Sequence, residues 1–286
     1  MAGKNTVFQQ KSTLNVRGKL LDLSKPKIMG ILNLTPDSFY DGGRNNKLHD
    51  ALKKTEQILM EGAEMIDIGA YSSRPGAEHI SEKTESDRLI PVLKAIVKEF
   101  PDAILSIDTF RSGIARAAVN NGAGIINDIS AGSIDPEMFH TIAELKVPYI
   151  IMHMKGTPQT MASQTDYENI TTEVCLYFTS RIQKLKNLGV YDLIIDPGFG
   201  FAKNIEQNYE LLANLGHLKS SGHPVLAALS RKSMIYKLLE TDAEHALNGT
   251  TVANTIALLK GANILRVHDV KAALEAVKIV NQINIR

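Results

Sequence analysis

Eight short apolar segments of the sequence each end in polar or charged residues. In chain order these residues are Asn33, Ser73, Arg74, Asp108, Asn127, Asp128, His153, Asp196, Ser230, Lys232, Arg266 and His268. Single members have structural explanations, because Asp108 or Asp128 could cap a helix and His153 could be a hydrogen-bonded core histidine. Several of the others do not stand at capping positions, so the set as a whole predicts a binding site.

Three of these side chains, Asp108, Asn127 and Asp196, supply hydrogen-bond acceptors. Asp196 follows an apolar segment and precedes a glycine-containing turn, 197–200, where a ligand can approach the backbone. A buried carboxylate needs donors or a positive charge opposite it. The edge of an aminopyrimidine offers two parallel N–H donors to one carboxylate, so the acceptors predict a flat polar heterocycle deep in the site.

Three others, Lys232, Arg266 and His268, supply donors and positive charge near the end of the chain. They follow the last two apolar segments, the part of a β/α barrel that frequently binds phosphate. They therefore predict an anionic group on this side of the site. Arg74 is a separate cation beside Pro75, and it could bind a carboxylate.

The apolar segments alternate with helical patterns along the whole chain. Strands are predicted at 28–33, 65–69, 103–108, 124–128, 148–153, 193–195, 225–230 and 263–269. Continuous apolar runs are typical of parallel strands buried on both faces. Eight strand–helix units predict an α/β fold, a single (β/α)8 TIM-barrel domain over residues 1–286. A doubly wound open sheet is the alternative, but no strand is followed by GxGxxG and polar residues follow all eight strands.

The residues before the first barrel strand, 1–27, predict a short extension. Residues 13–22 have the pattern of a hairpin with Arg17 and Gly18 at the turn. A hairpin at this point of the chain could plug one end of the barrel.

Composition excludes several classes of protein. The formal net charge is only +1, so the chain as a whole lacks the excess of positive charge that is typical of nucleic-acid-binding proteins. The one cysteine, Cys175, excludes a disulfide framework within the chain. No apolar run reaches the roughly 18 residues that a membrane-spanning helix needs. No signal-peptide pattern is visible at the N-terminus. We therefore expect a cytoplasmic protein that binds neither nucleic acid nor membranes.

Several motifs together resemble the dihydropteroate synthase family over nearly the whole chain. They are MGILNLTPDSF at 29–39, DGG at 41–43, SRPGA at 73–77, SIDTF at 106–110, INDI at 126–129, DPGFGF at 196–201, SRKS at 230–233 and RVH at 266–268. Members of this family condense (7,8-dihydropterin-6-yl)methyl diphosphate with 4-aminobenzoate. The products are 7,8-dihydropteroate, an intermediate of folate biosynthesis, and diphosphate.

The resemblance implies a role for each matching residue. The pterin-binding residues would be Asp108, Asn127, Asp196, Lys232 and Arg266. The diphosphate would be bound by Asn33, Arg266 and His268, with Asn33 also a ligand of Mg²⁺. The aminobenzoate site would contain Ser73, Arg74, Pro75, Phe201, Ser230 and Lys232, with Phe39 of the first loop closing over it. The catalytic residues would be Asp108, Lys232, Arg266 and His268.

The resemblance also implies a homodimer and sensitivity to sulfonamides as competitive inhibitors. The apolar faces after the seventh strand are wide for one buried stripe: Ile235, Leu238, Leu239, Val252, Ile256, Leu258 and Leu259.

The second loop contains no inserted residues that would suggest sulfonamide exclusion. It departs from the family at Tyr71 and Ser73, where a glutamate and a threonine are frequent, so this loop is expected to pack differently.

Other functions remain open at this point. A pterin-binding barrel that transfers a methyl group from methyltetrahydrofolate would share Asp108, Asn127 and Asp196, but it would not need Lys232 or an anion site. A non-catalytic pterin-binding barrel would be expected to lack some site residues. A magnesium-dependent barrel acting on a sugar phosphate would need several carboxylates near the phosphate-binding cations.

Overall fold

The computed structural model describes residues 11–34, 44–72 and 79–283. The strands are β1 (Thr13–Val16), β2 (Lys19–Asp22), β3 (Lys27–Asn33), β4 (Met65–Gly69), β5 (Ile104–Asp108), β6 (Ile125–Asp128), β7 (Tyr149–Met152), β8 (Leu193–Asp196), β9 (Leu226–Ala227) and β10 (Ile264–Val267). The α-helices are α1 (Arg44–Met60), α2 (Glu82–Glu99), α3 (Ser112–Asn120), α4 (Met138–Leu145), α5 (Ile170–Asn187), α6 (Ile205–Ala213), α7 (Ser233–Leu238), α8 (Leu247–Leu259) and α9 (Val270–Ile283).

The strands from β3 to β10 form one parallel sheet. Their order is β8-β7-β6-β5-β4-β3-β10-β9, so neighbours in the sheet are also neighbours in the chain except where β10 meets β3. A parallel bridge between Ile195 and Val225 joins the two ends of this order. The sheet is therefore nearly closed, which confirms the predicted TIM barrel and excludes the open sheet.

The seventh barrel strand is much shorter than predicted. The sequence predicts a strand over 225–230, whereas β9 contains only Leu226 and Ala227. The chain turns soon afterwards, since Arg231 has a left-handed backbone with φ of 55°. Arg231 holds this turn with Nε and Nη2 donating to the two carboxylate oxygens of Asp269, both at 2.9 Å. The shortened strand brings Ser230 and Lys232 to the mouth of the barrel.

The predicted hairpin is present and closes the N-terminal end of the barrel. Strands β1 and β2 pair antiparallel, with Leu14 opposite Leu21. Leu14, Val16, Leu21 and Leu23 are buried against a layer of barrel side chains, here called the floor. The floor consists of Met29, Met65, Ile125, Ile150, Ile194, Leu226, Ala228 and Ile264. Burial of a large aliphatic side chain stabilises a fold by about 1.5–3 kcal/mol, so the hairpin and the floor support each other.

The barrel interior becomes polar one step above the floor. Side chains two residues apart on a strand point to the same face. Two residues beyond floor positions stand Asp67 on β4, Asn127 on β6, Asp196 on β8 and Arg266 on β10, and Ser106 on β5 lies in the same layer. This set is called the polar layer. Because its carboxylates and amide are buried, they need internal partners or a ligand.

The helices surround the sheet and bury its outer face. The larger core lies between them, with Ile66, Ile107, Ile151 and Val267 from the strands and Leu93 from α2. In the part of the chain that the structure describes, no helix is long and apolar enough to cross a membrane.

Candidate active site

Arg266 reaches across the barrel from β10 and joins two carboxylates. Its Nε donates to Asp67 Oδ2 at 2.6 Å, and its Nη2 donates to Asp108 Oδ2 at 2.9 Å. Burial alone would lower the pKa of Arg266, but the carboxylates of Asp67 and Asp108 raise it above its usual value. The structure thus brings together two predicted site residues, Asp108 and Arg266, and adds a third that was not predicted.

That third residue, Asp67, is completely buried and has three hydrogen-bond donors around it. Besides Arg266, Ser106 Oγ donates to Oδ1 at 2.5 Å and Asn127 Nδ2 donates to Oδ2 at 2.9 Å. The sequence analysis missed Asp67 and Ser106 because it considered only strand ends, and both lie inside strands. The available signal was a carboxylate two residues after Met65 in an otherwise apolar strand, which places it on the interior face.

The two predicted carboxylates carry charge that the folded protein stabilises poorly. Burial raises the pKa of Asp108 to about 7, although Arg266 opposes this rise. Burial also raises the pKa of Asp196, opposed mainly by Lys232. Asp196 Oδ1 accepts a hydrogen bond of 2.8 Å from the Gly198 N–H. Both carboxylates would gain from the N–H donors of a ligand.

Lys232 lies between the carboxylates and the turn after β8. Its Nζ donates to the carbonyl oxygen of Phe199 and stands 4.8 Å from the centre of the Phe201 ring. Burial lowers the pKa of Lys232 to about 8, with Asp196 opposing and Arg266 adding to the effect. Lys232, Phe201 and Asp196 are therefore close neighbours, as the resemblance implied.

Ser230 and His268 form a hydrogen-bonded pair at the ends of β9 and β10. The backbone N–H of His268 donates to Ser230 Oγ at 3.2 Å, and the same oxygen lies 3.0 Å from His268 Nδ1. The Ser230 hydroxyl can donate to Nδ1, or Oγ can accept from Nδ1–H with its second lone pair, so the contact fits either tautomer of His268. The resemblance assigned these two side chains to different substrates, whereas here they contact each other.

A buried lysine outside the predicted set, Lys203, stabilises the turn after β8. Lys203 Nζ donates to the carbonyl oxygens of Gly198 and Phe201, each at 2.9 Å, and lies 3.0 Å from His153 Nδ1. Burial lowers the pKa of His153 to about 2, so its ring is neutral and can accept from Lys203. His153 is therefore the hydrogen-bonded core histidine that the sequence analysis considered.

The turn itself depends on glycine. Gly198 has a φ of 70°, and a Cβ there would lie 2.0 Å from the carbonyl oxygen of His153. No other residue fits this position without moving the backbone. This agrees with the prediction of a sharp turn directly after Asp196.

Asp128 has a structural function. Its Oδ2 accepts from Tyr149 Oη at 2.6 Å and from the Gly132 N–H at 2.8 Å, and its Oδ1 accepts from the Ser130 N–H at 2.7 Å. These donors fix the loop after β6. Asp128 therefore points away from the polar layer, although it follows Asn127 directly in the sequence.

The mouth of the barrel also has an apolar wall. It consists of Tyr71, Phe110, Ile129, Met152, Met154, Met161 and Ala202, with Phe201 packed against it. Tyr71 and Phe110 meet edge to face with ring centres 5.0 Å apart. Such a wall suits the faces of flat aromatic ligands.

Several predicted residues lie outside the described residues. These are Ser73, Arg74, Pro75 and Phe39. Asn33 is described, and it is a half-buried residue at the end of β3. Among the described residues, no group of three or more His, Cys, Asp or Glu side chains could hold a metal ion.

Comparison with known proteins places this arrangement in a family. The profile of the pterin binding enzymes matches residues 29–268. The chain belongs to this family.

Individual relatives agree with the profile. The chain is 43% identical to dihydropteroate synthase of Escherichia coli K12 over 269 residues, which cover 93% of this chain and 95% of the relative. It resembles the structure of Xanthomonas albilineans dihydropteroate synthase with 4-aminobenzoic acid, with a TM-score of 0.90, 38% identity and 96% and 99% of the two chains covered. A Yersinia pestis dihydropteroate synthase structure with a sulfonamide drug has a TM-score of 0.90, 40% identity and 96% and 100% coverage.

Proposed function

We propose that this protein is a dihydropteroate synthase of the pterin-binding family. It condenses (7,8-dihydropterin-6-yl)methyl diphosphate with 4-aminobenzoate and releases diphosphate. One observation carries the proposal: buried and half-buried acceptors and cations come together inside the barrel, namely Asp108, Asn127, Asp196, Lys232 and Arg266. The pterin supplies the donors that the acceptors need, and the diphosphate supplies the anion.

The pterin ring binds in the polar layer in this proposal. Asp108, Asn127 and Asp196 accept from its N–H and amino groups. Lys232 leaves the Phe199 carbonyl and donates to the ring, while Arg266 lies over it. The raised pKa values of Asp108 and Asp196 support this assignment, because a ligand donor relieves the cost of each buried carboxylate.

The reaction requires charge stabilisation more than proton transfer. The bond between the methylene carbon and the diphosphate oxygen breaks, and its electron pair leaves with the diphosphate. The positive charge left on the methylene spreads into the pterin, where the carboxylates of Asp108 and Asp196 stabilise it. Arg266 and His268 stabilise the leaving group. The aniline nitrogen then forms the new C–N bond and loses its proton to solvent, so no general base is needed.

We propose Mg²⁺ as the cofactor, with Asn33 as its ligand from the described residues. The donor set fits this ion, because Mg²⁺ retains water ligands and usually takes one or two protein oxygens plus substrate phosphates. When bound, it supplies positive charge to the diphosphate. Removal of Mg²⁺ with a chelator should abolish turnover, and Asn33→Ala should raise the Mg²⁺ concentration needed for half-maximal activity.

We propose that 4-aminobenzoate binds above the pterin, beside Phe201 and Lys232, with Ser73, Arg74, Pro75 and Ser230 completing its site. Sulfonamides, which carry a similar aniline, would compete for this site. The sulfonamide complex of the Yersinia pestis relative supports this assignment. Inhibition should be relieved by raising the concentration of 4-aminobenzoate, and a lack of effect at saturating drug would contradict it.

We also propose a homodimer through α7 and α8. Ile235 and Leu258 of the predicted apolar faces are buried in the core. The others are exposed: Leu238, Leu239, Val252, Ile256 and Leu259. A second copy of the chain would cover them. Light scattering at micromolar concentration should give twice the monomer mass for wild type, and less for Val252→Lys. The exposed Leu176 on α5 provides the control Leu176→Lys, which should stay dimeric.

The deciding experiment follows diphosphate release by the purified protein with the pterin diphosphate and Mg²⁺, with and without 4-aminobenzoate. Release that depends on 4-aminobenzoate, together with formation of dihydropteroate, is the expected result. Pterin binding without any release would favour a methyltransferase-like or non-catalytic barrel. Failure to bind pterin would mean that the polar layer has another ligand.

A further inference from the structure

Asp67 has no role in the reaction proposed above, yet both Asn127 and Arg266 depend on it. Its two carboxylate oxygens accept from three donors, Ser106 Oγ, Asn127 Nδ2 and Arg266 Nε. Asp67 and Ser106 are completely buried, and Asn127 is 4% exposed. The carboxylate is therefore a fixed part of the barrel interior, and a direct contact with a ligand is not needed to explain it.

The bond from Asn127 determines which end of its amide faces away from Asp67. An ionised carboxylate can only accept hydrogen bonds, so the group of Asn127 that faces Asp67 must be the NH₂. The carbonyl oxygen of Asn127 is then turned away from Asp67. An asparagine free to rotate could offer either a donor or an acceptor to a ligand. Held by Asp67, Asn127 keeps its carbonyl oxygen turned toward the opposite side, where it offers an acceptor beside the second N–H of the amide.

Asp67 also fixes the guanidinium of Arg266. Two carboxylates hold this group, Asp67 at Nε and Asp108 at Nη2. Arg266 uses only Oδ2 of Asp108, so a ligand donor would share that carboxylate with Arg266. The bond to Asp67 keeps Arg266 in place while the carboxylate is shared.

We propose that Asp67 is a positioning residue that sets the specificity of the pterin site. By orienting the Asn127 amide and holding Arg266, it makes the site select heterocycles that present an N–H group to Asn127. The inference rests on the proposed function for the identity of the ring. What the structure itself supplies is the fixed orientation of the Asn127 amide.

The test is calorimetric binding of a pterin and of ring analogues, without 4-aminobenzoate. In each analogue one N–H donor of the ring is replaced by C–H or by a bare nitrogen. Wild type should bind the analogue that lacks the N–H facing Asn127 about tenfold to a hundredfold more weakly than the pterin. This is the effect of leaving the buried Asn127 carbonyl oxygen unpaired. In Asp67→Asn that penalty should shrink by about tenfold, since Asn127 can then rotate.

Ser106→Ala is the matched control. It removes a donor to the same carboxylate from the same buried layer, but it leaves the bonds to Asn127 and Arg266. Its discrimination among the analogues should equal that of wild type. If Ser106→Ala loses discrimination as Asp67→Asn does, the effect is general loosening of the layer and the proposal is overturned.

A double variant guards against a folding defect in Asp67→Asn. The exchange Asp67→Asn with Asn127→Asp keeps the charge, the volume and one hydrogen bond between the two positions. Residue 127 then again turns an acceptor away from position 67, so the wild-type discrimination should return. A double variant that folds but discriminates no better than Asp67→Asn overturns the proposal.

Binding and turnover separate this inference from the proposed function. A wild type that forms no dihydropteroate defeats the proposed function, but loss of discrimination in Asp67→Asn would still support the inference. A wild type that forms dihydropteroate and binds all the analogues equally would defeat the inference alone. In the active enzyme, Asp67→Asn should raise KM for the pterin substrate and leave KM for 4-aminobenzoate unchanged.

Discussion

The floor and the polar layer of the barrel differ in composition although most of their members lie two residues apart on the same strands. The floor is entirely apolar and is sealed by the hairpin. The polar layer contains two carboxylates, an amide, a hydroxyl and a guanidinium, all inside the protein. Apolar burial stabilises a fold, whereas burial of charge costs free energy unless the partners are well placed. Stability and function are thus assigned to successive layers.

Arg266→Met should have the largest effect, because it removes the cation of the polar layer. It leaves Asp67 and Asp108 buried without their cation, and loss of one partner of a buried ion pair typically costs about 3–5 kcal/mol. We expect urea denaturation at pH 8 to show this loss, together with loss of turnover. Adding Asp108→Asn should restore part of the stability and none of the activity. An unchanged unfolding midpoint in Arg266→Met would contradict the assigned role of the ion pair.

Ile150→Ala, a change in the floor, should lower stability and leave substrate binding unchanged. Ile150 is completely buried among the floor residues, and truncation of a buried isoleucine to alanine costs about 2–5 kcal/mol. The free energy of unfolding should fall by this amount, while KM for both substrates stays within about twofold of wild type. A large change in KM with little loss of stability would show that the two layers are not separate.

Asp196→Asn should have a smaller effect, which weakens pterin binding and also lowers kcat, because this carboxylate stabilises the developing positive charge in the proposed reaction. A hydrogen bond to a charged group is worth about 1.5–3 kcal/mol, so KM for the pterin substrate should rise about tenfold to a hundredfold. Stability should not fall, because burial raises the pKa of Asp196 and its ionised form is costly in the folded protein. Asp192→Asn, which alters a carboxylate outside the barrel near Lys11, is the control. Full activity of Asp196→Asn would remove this residue from the site.

The pH dependence of kcat/KM for the pterin substrate should give the smallest effect, at most about tenfold per pH unit. In the proposed site Asp108 accepts from the pterin when ionised, so activity should fall as the pH drops below its pKa of about 7. Lys232 donates when protonated, so activity should also fall as the pH rises above about 8. Asp108→Asn should remove or shift the acid limb. A wild-type profile that is flat from pH 6 to pH 9 would contradict both assignments.

The sequence predicted the barrel better than the contacts inside it. Asp108, Asn127 and Asp196 were identifiable because each ends an apolar run, and the barrel followed from eight such runs. Asp67 was missed because the apolar residues around it concealed the period of two. Lys203 was missed because two of its three partners are backbone carbonyls of a turn, which leave no trace in side-chain types, and the third, His153, lies 50 residues earlier in the chain.

Other expectations depended on geometry that residue types do not specify. The pairing of Ser230 with His268 follows from how far β9 extends, and the sequence pattern made that strand too long. The roles of Ser73, Arg74, Pro75 and Phe39 stay predictions. They belong to loops whose positions relative to the barrel cannot be read from alternation or periodicity.

The hairpin under the floor has a consequence for the order of events in turnover. With the N-terminal end of the barrel sealed by Leu14, Val16, Leu21 and Leu23, both substrates and both products must use the same opening. In the proposed function, the ring bound by Asn127 and Asp196 occupies the deeper position, so it must arrive before the aniline closes the route above it. The proposed reaction should therefore follow ordered sequential kinetics, with dead-end inhibition by 4-aminobenzoate when it enters first.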